Sequence, residues 1–406
     1  MKRLLLSLLL ASPILLHAQG SQVNTQSQKA VGMAGAGSAL FIDETSIFYN
    51  PGALVKMDHN AIQVGASAVM YRSAFREHGS TESHDTKFQI SPPFGAYATF
   101  GPKNSWWKAG IGVYTPFGGS VDWGKEWPGR FSLTHLSMRA IYIQPTVSFK
   151  ITDQFSLGGG FVYNIGLVDL GRALPVFYPD GTAGQATLKG TGTGMGYNVG
   201  VHYNLEDQFA ISLSYRSKVV TKLEGGDATF EVPTSLAANF PNGKFDAELP
   251  LPATFNIGIA FPLSDKVQAA IDGSLINYDI YKELVFDYEN NTPVLQDTRS
   301  AKKYQNAFSG KAGINYDVND ALALRVGAGY VYTPVQSKYV YPETPDNNRV
   351  MAAGGVSYKF NPKWEMSAAY VFQKILKRTT TNAETLLHGA YETNIHAPGI
   401  SLSYKW

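Results

Sequence analysis

The sequence predicts an all-β fold, a fourteen-stranded antiparallel transmembrane β-barrel, from three observations. Apolar and polar residues alternate with period two: in FAISLSYR, Phe209, Ile211, Leu213 and Tyr215 share one face and Ala210, Ser212, Ser214 and Arg216 the other. A strand with one apolar and one polar or tiny face reads this way. Aromatic residues end strands at Phe100, Phe149, Tyr203, Phe261, Tyr316, Phe360 and Trp406. They recur about every fifty residues, and all but the last precede a short turn such as GPKNS, KITDQ or PLSDK, the girdle-and-turn pattern of outer-membrane barrels. Composition agrees, because 40 glycines, 13% aromatic and 16% charged residues in a chain of 406 suit strands and turns better than helices.

Charge and cysteine usage exclude several classes. Lys and Arg number 34 against 32 Asp and Glu, a net charge of +2, which gives no electrostatic case for nucleic acid. With no cysteine there is no disulfide framework, thiolate metal site or lipid anchor on cysteine. The eight histidines, His78 and His84 among them, show no metal-ligand spacing, and no nucleophile motif stands out. The expectation is a protein that is not an enzyme and takes no metal and no cofactor.

Met1 to Ala18, MKRLLLSLLLASPILLHA, has two basic residues, an apolar run and a small residue at its end. It reads as a secretory signal peptide (1–18) cut before Gln19. No later stretch reaches the length of about 18 apolar residues that a membrane helix requires. The protein is expected to be exported to a Gram-negative outer membrane.

Residues 19–60 do not read as strand. NTQSQKAVGMAGAGSALFIDETSIFYNPG, Asn24 to Gly52, is rich in small residues, with Gly32, Gly35 and Gly37 among them. GMAGAG invites a dinucleotide-binding reading, but the preceding strand, following helix and βαβ context of that motif are missing. Close packing of backbone against surrounding walls is the better reading. A helical turn starting near Asp43 should end by Tyr49, because Pro51 follows Asn50.

Strands are expected over 61–406, beginning near Ala61, Lys87, Trp106, Leu136, Phe155, Thr191, Phe209, Pro252, Val267, Tyr304, Ala321, Val350, Trp364 and Asn394. An even number lets a barrel close with both termini in the periplasm, and closure satisfies every backbone N–H and C=O in lipid. The last strand, with Ile400, Leu402, Tyr404 and Trp406 on one face, suits insertion by the outer-membrane barrel assembly machinery.

Several segments together resemble the FadL/TodX family of outer-membrane transporters for long-chain fatty acids and hydrophobic compounds. They are NTQSQKAVGMAGAGSAL with Asn50-Pro51-Gly52, YTPFGGSVDWGKEWPGRF, LPLPATFNIGIAF, PDNNRVMAAGGVSYKF and the final strand. The chain departs at Gly52, where the family usually has Ala, and at its terminal Trp. The resemblance implies a fourteen-stranded barrel closed by an N-terminal hatch inside the lumen. It also implies capture by extracellular loops and sideways release at a kink in the third strand.

Candidate residues follow. Gly32, Gly35 and Gly37 would pack the hatch, and Asn50, Pro51 and Gly52 would be its hinge. Pro92 and Pro93 remove two ladder donors from the second strand, and extrapolating the turn near Lys103 sets Pro93 opposite roughly Val113. Gly110 and Gly112 would then leave a weak seam between strands two and three. Apolar ligand contacts are expected from Phe117, Trp123, Trp127 and Phe131, with Phe177, Tyr178, Leu236 and Phe240 as further loop candidates. Loop packing explains the same residues equally well. A fatty-acid carboxylate would favour a lumen cation, and Arg216, Lys311 and Arg325 have inward parity. Arg130, in WPGRF, matches a family position and reads as holding its loop.

The partners expected are the outer-membrane bilayer and a hydrophobic small molecule, and the chain is expected to be a monomer. A surface-interaction protein, an adhesin or receptor displaying long loops on a barrel anchor, is the competing reading.

Overall fold

In the computed structural model, residues 22–205 and 208–406 are described; the expected signal peptide, Met1 to Ala18, lies outside them. Fourteen antiparallel strands close on themselves. They are β1 (Ala61–Ser67 and Val69–Glu77), β2 (His84–Asp85, Ile90–Ser91 and Phe94–Phe100), β3 (Trp107–Asp122) and β4 (His135–Lys150). Next come β5 (Phe155–Phe177), β6 (Ala183–Leu205), β7 (Phe209–Arg216 and Val219–Glu231) and β8 (Gly243–Leu251 and Thr254–Ser264). The wall is completed by β9 (Val267–Ile276), β10 (Ala307–Asp317), β11 (Leu322–Val331), β12 (Arg349–Lys359), β13 (Trp364–Thr381) and β14 (His388–Lys405). Gln63 on β1 lies opposite both Tyr97 on β2 and Ser403 on β14, so the first strand joins the last and the sheet has no free edge there.

The faces are inverted relative to a water-soluble protein. Val326 (59% exposed), Ile271 (54%) and Ile400 (53%) point outward, whereas Ser212, Arg216 and Arg325 are buried in the lumen. An apolar exterior around a polar interior is stable only against lipid. The aromatic girdle sits at the short-turn end, where Trp106 stacks on Phe149 with ring centroids 5.7 Å apart.

Three strands begin six or more residues earlier than the alternation suggests: β6 at Ala183 rather than near Thr191, β8 at Gly243 rather than Pro252, and β14 at His388 rather than Asn394. These extensions stand above the lipid band. There the outer face carries Lys189 and Asp169, paired at 3.2 Å, and the apolar residues Ala186 and Leu188 turn inward, so the pattern that marks a lipid-facing strand fades. A hairpin, Glu283–Tyr288 with Thr298–Ala301, adds to the upper edge of β8 through Phe245 opposite Tyr288.

Residues 22–57 occupy the lower lumen. A helical turn, Gln28–Val31, is capped by Ser27, whose hydroxyl accepts from Ala30 N–H. A second turn, Ser46–Tyr49, stops at Asn50 as expected, and a 3-10 turn covers Pro51–Lys56.

Candidate functional site

The floor of the site is the insert itself. GMAGAG makes a tight turn with Gly35 at φ +90° and Gly37 at φ +112°, values that L side chains avoid. Gly37 N–H and Ser38 N–H donate to the Asp272 carboxylate on β9 at 2.7 and 3.2 Å. A Cβ on Gly32 would lie 2.9 Å from Gly355 Cα on β12. Gly32 thus lies against the wall, and a Cβ on Gly35 would meet the Lys311 side chain, whereas one on Gly37 would meet Phe41 of the insert itself.

Asn50, Pro51 and Gly52 are placed differently from a hinge. Asn50 is fully buried; its amide donates to Val201 O at 2.9 Å and Ser212 Oγ at 2.7 Å, while its Oδ1 accepts from Gly52 N–H at 3.0 Å. Gly52 O accepts from Ser148 and Ser156. A Cβ on Gly52 would stand 2.5 Å from Gly200 O, and one on Gly158 would stand 2.4 Å from Pro51 O. Three consecutive residues wedged against β4 to β7 form an anchor, because buried polar groups bonded on several sides resist rotation.

An ionic knot holds the other side. Lys29 Nζ lies 2.8 Å from Glu365 and 3.5 Å from Asp43, and Glu365 also meets Lys405 at 3.2 Å. Beside it Glu44, also on the insert, accepts from Gln63 Nε2 at 3.3 Å, and its other oxygen is buried without a hydrogen-bond partner. Burial and the neighbouring Asp43 push the Glu44 carboxyl well above its ordinary range, since both disfavour a second buried negative charge.

β2 and β3 pair at another register than the turn near Lys103 suggests. The ladder pairs Tyr97 with Gly112 and Thr99 with Gly110, and ends at Gly95 opposite Tyr114. Pro93 therefore does not face Val113, which pairs with Ala96. Gly110 and Gly112 make room for the insert instead: a Cβ there would meet Ile47 at 2.7 and 3.1 Å. The two prolines do interrupt β2, between Ser91 and Phe94. Opposite them β3 carries a bulge between Tyr114 and Phe117, which reverses its faces: Gly112 and Tyr114 point inward below it, Phe117 and Val121 above it. The expected register differs because it centres the turn on Lys103, whereas Phe100 opposite Ala109 centres the connection between Asn104 and Ser105; the prolines and the bulge end the ladder only above that point.

Above Phe94, whose N–H reaches Thr115 Oγ1 at 3.0 Å, the next hydrogen bonds between the two strands among the described residues are Ser120 with Gln89 and Lys87 N–H to Asp122 O at 2.7 Å. The start of the insert takes the vacant β3 groups. Gln22 bridges Phe117, Val23 N–H donates to Pro116 O at 2.8 Å, and Gln26 Nε2 donates to Thr115 O at 2.8 Å.

Above the insert is a cavity of about 290 Å³, floored by Val31, Ala34 and Gly35 and walled by Leu249, Leu251, Phe286, Met351, Val371 and Ile395. Of the residues expected at the ligand, Phe117 and Lys311 line it. Trp123 and Trp127 stack on each other at 4.6 Å in a loop cluster around Phe75. Arg130 donates to Trp127 O and lies over the exposed Phe131 ring at 4.7 Å, both within its own loop. Arg216 donates to Phe48 O at 2.7 Å and covers the Phe48 ring at 4.1 Å, so it holds the insert. Arg325 donates to Ser357 and lies over Phe41. Phe177, Tyr178, Leu236 and Phe240 also stay outside the lining.

Residues not singled out from the sequence include the aliphatic wall and the Arg349–Asp346 pair at 2.8 Å near the top. Arg349 lies in PDNNRVMAAGG, a segment already notable, and its inward parity was the available signal. Among the described residues no group of histidines and carboxylates is arranged to hold a metal.

A closed β-barrel with lipid-facing strands, an occupied lower lumen and an apolar cavity above it defines an outer-membrane protein. The chain belongs to the outer membrane protein transport family (OMPP1/FadL/TodX), which matches residues 9–406, a family of outer-membrane transporters of hydrophobic compounds. It is 27% identical to a putative outer membrane protein of Neisseria meningitidis serogroup B over 87% of this chain and 85% of that one. Its fold is similar to that of a Pseudomonas aeruginosa FadL homologue (TM-score 0.83, 20% identity, 95% of this chain and 99% of that one). It is also similar to the P. putida toluene transporter TodX (TM-score 0.68, 16% identity, 96% and 99%).

Proposed function

We propose that the protein passively carries long-chain fatty acids or hydrocarbons from its extracellular loops into the cavity, then releases them sideways through the seam between β2 and β3. The observation that carries this reading is the stretch of β3 around Thr115 to Phe117, whose backbone is bonded by residues 22–26 instead of by β2. In this reading residues 19–60 are a hatch: Asn50 to Gly52 stay anchored while residues 22–26 act as a removable stopper. Entry is favourable, since burying methylenes at about 0.8 kcal/mol each gives a long chain on the order of 10 kcal/mol. Release is the harder step, and a wall opening lets the chain pass from cavity to bilayer without crossing water. Lys311, buried and bordering the cavity, supplies a counter-charge for a carboxylate.

Because the chain has no cysteine, Gln22→Cys with Phe117→Cys tests the reading cleanly. These residues are bridge partners, close enough for a disulfide. Oxidation should stop fatty-acid uptake in a deletion strain and reductant should restore it; undiminished uptake by the locked protein would remove the seam from the pathway.

A further inference from the structure

The cavity does not end at the inner face of the wall. Its lining runs from Val31 and Leu249 inside, past Gly118 and Gly119 on β3, to Arg139 on β4. Arg139 pairs with Gly118 on one side and Leu167 on the other. Leu167 is lipid-facing and Arg139 is exposed, so the guanidinium lies on the outer surface. A Cβ on Gly119 would meet nothing within 4 Å, which leaves a low saddle between cavity and exterior.

Depth and charge make this position unusual. Arg139 is ten residues above Phe149 in the aromatic girdle on the same strand. At a rise of 3.3 Å per residue and a tilt near 40° this is about 25 Å, the height of the apolar band. Arg139 therefore stands where hydrocarbon meets headgroups. Asp169, the nearest acid on β5, is already engaged by His135 and Lys189, each at 3.2 Å, and the Arg139 side chain makes no ion pair or hydrogen bond among the described residues. Across the saddle, β2 exposes Phe88 (73%) and Ile90 (53%). The exit thus has a greasy lip on one side and an unneutralised cation at headgroup height on the other.

We infer that Arg139 is a selectivity and positioning residue of the exit, holding the carboxylate of an anionic long-chain amphiphile at the interface while its tail passes over Phe88 and Ile90 into the bilayer. The inference rests on the lateral-release reading and narrows its passenger to anionic chains. Arg is suited to the task because its planar fork pairs with a carboxylate through two parallel N–H···O bonds. The same chemistry could recruit a phosphate of a resident outer-leaflet glycolipid, and the test separates the two sources.

Full-length protein in the deletion strain is supplied with hexadecanoate and hexadecanol, and the ratio of their uptake rates is measured alongside the glycolipid that copurifies. Loss of one partly exposed charge pair lowers the hexadecanoate-to-hexadecanol ratio roughly three- to fivefold in Arg139→Gln, with Arg139→Lys restoring much of it and copurifying glycolipid constant. An unchanged ratio in Arg139→Gln overturns the inference, as does a loss of glycolipid, whether or not the ratio falls. Equal loss of both probes, with Arg139→Lys failing to rescue, also overturns it, since that reports damage to the wall. The disulfide lock made by Gln22→Cys with Phe117→Cys is the separate control: if both probes still enter through locked protein, lateral release fails on its own account.

Discussion

In the lower lumen the insert is seated by bonds to named wall residues: Asp272 on its glycine turn, Val201 and Ser212 on Asn50, Ser148 and Ser156 on Gly52. In the upper lumen the wall instead presents leucine, valine, isoleucine and phenylalanine to a cavity of about 290 Å³. The same fourteen strands build both, by changing what stands on their inward positions. Small and polar inward residues allow close backbone approach and directional bonds, so they specify one occupant. Aliphatic inward residues offer non-directional burial and suit any apolar guest. The lower half is selective for the chain's own segment, and the upper half is permissive.

The sharpest way to break this comparison is to deny the insert its seat. A Cβ on Gly200 would lie 2.1 Å from Asn50 Oδ1 and 2.9 Å from Pro51 Cδ. Gly200→Val should cost the docked insert about 3 kcal/mol through overpacking and the lost amide bonds. In planar bilayers it should conduct where the parent is closed, while retaining the gel-mobility shift of a folded barrel. A closed channel would mean that the seat around Asn50 is dispensable.

A change in the upper half should do the reverse. Leu249→Ala removes cavity-lining methylenes and should weaken binding of a long-chain fluorescent probe by about 1–2 kcal/mol, leaving conductance at the parental level. A rise in conductance would show that the two halves are mechanically coupled.

The smallest effect is electrostatic. Burial and Asp43 raise the docked Glu44 carboxyl above its ordinary value near 4.5, so the docked insert favours the protonated form. Docking is unpenalised at pH below that ordinary value and weakens as pH climbs from there through the raised one. Open events should therefore be more frequent at pH 8 than at pH 5, and Glu44→Gln should flatten the profile. An opposite slope would assign the pH response to another group.

Legibility from sequence follows the same division. The strands of the lipid band could be read because period-two alternation and the terminal aromatics are local signals, and β3, β5, β7, β9, β11 and β13 begin within one residue of the expected positions. Small residues in GMAGAG also announced close packing. The ligand candidates were less legible. Trp123 and Trp127 look like greasy contacts in one dimension, yet they satisfy each other and the Leu133 and Pro342 carbonyls. Arg216 and Arg325 have the inward parity of a carboxylate anchor but face the insert.

By itself, then, the sequence determined the fold class, the even closure, the exterior chemistry and the existence of a non-strand insert, because each depends on neighbours one or two residues apart. Tertiary structure decided the register of β2 against β3, the face reversal at Thr115–Pro116, the anchoring of Asn50 to Gly52, and the meeting of Val31, Leu249, Met351 and Arg139 around one cavity. Those depend on which distant strands become neighbours when the barrel closes. A single bulge moves every later side chain to the opposite face, so local pattern could not supply them.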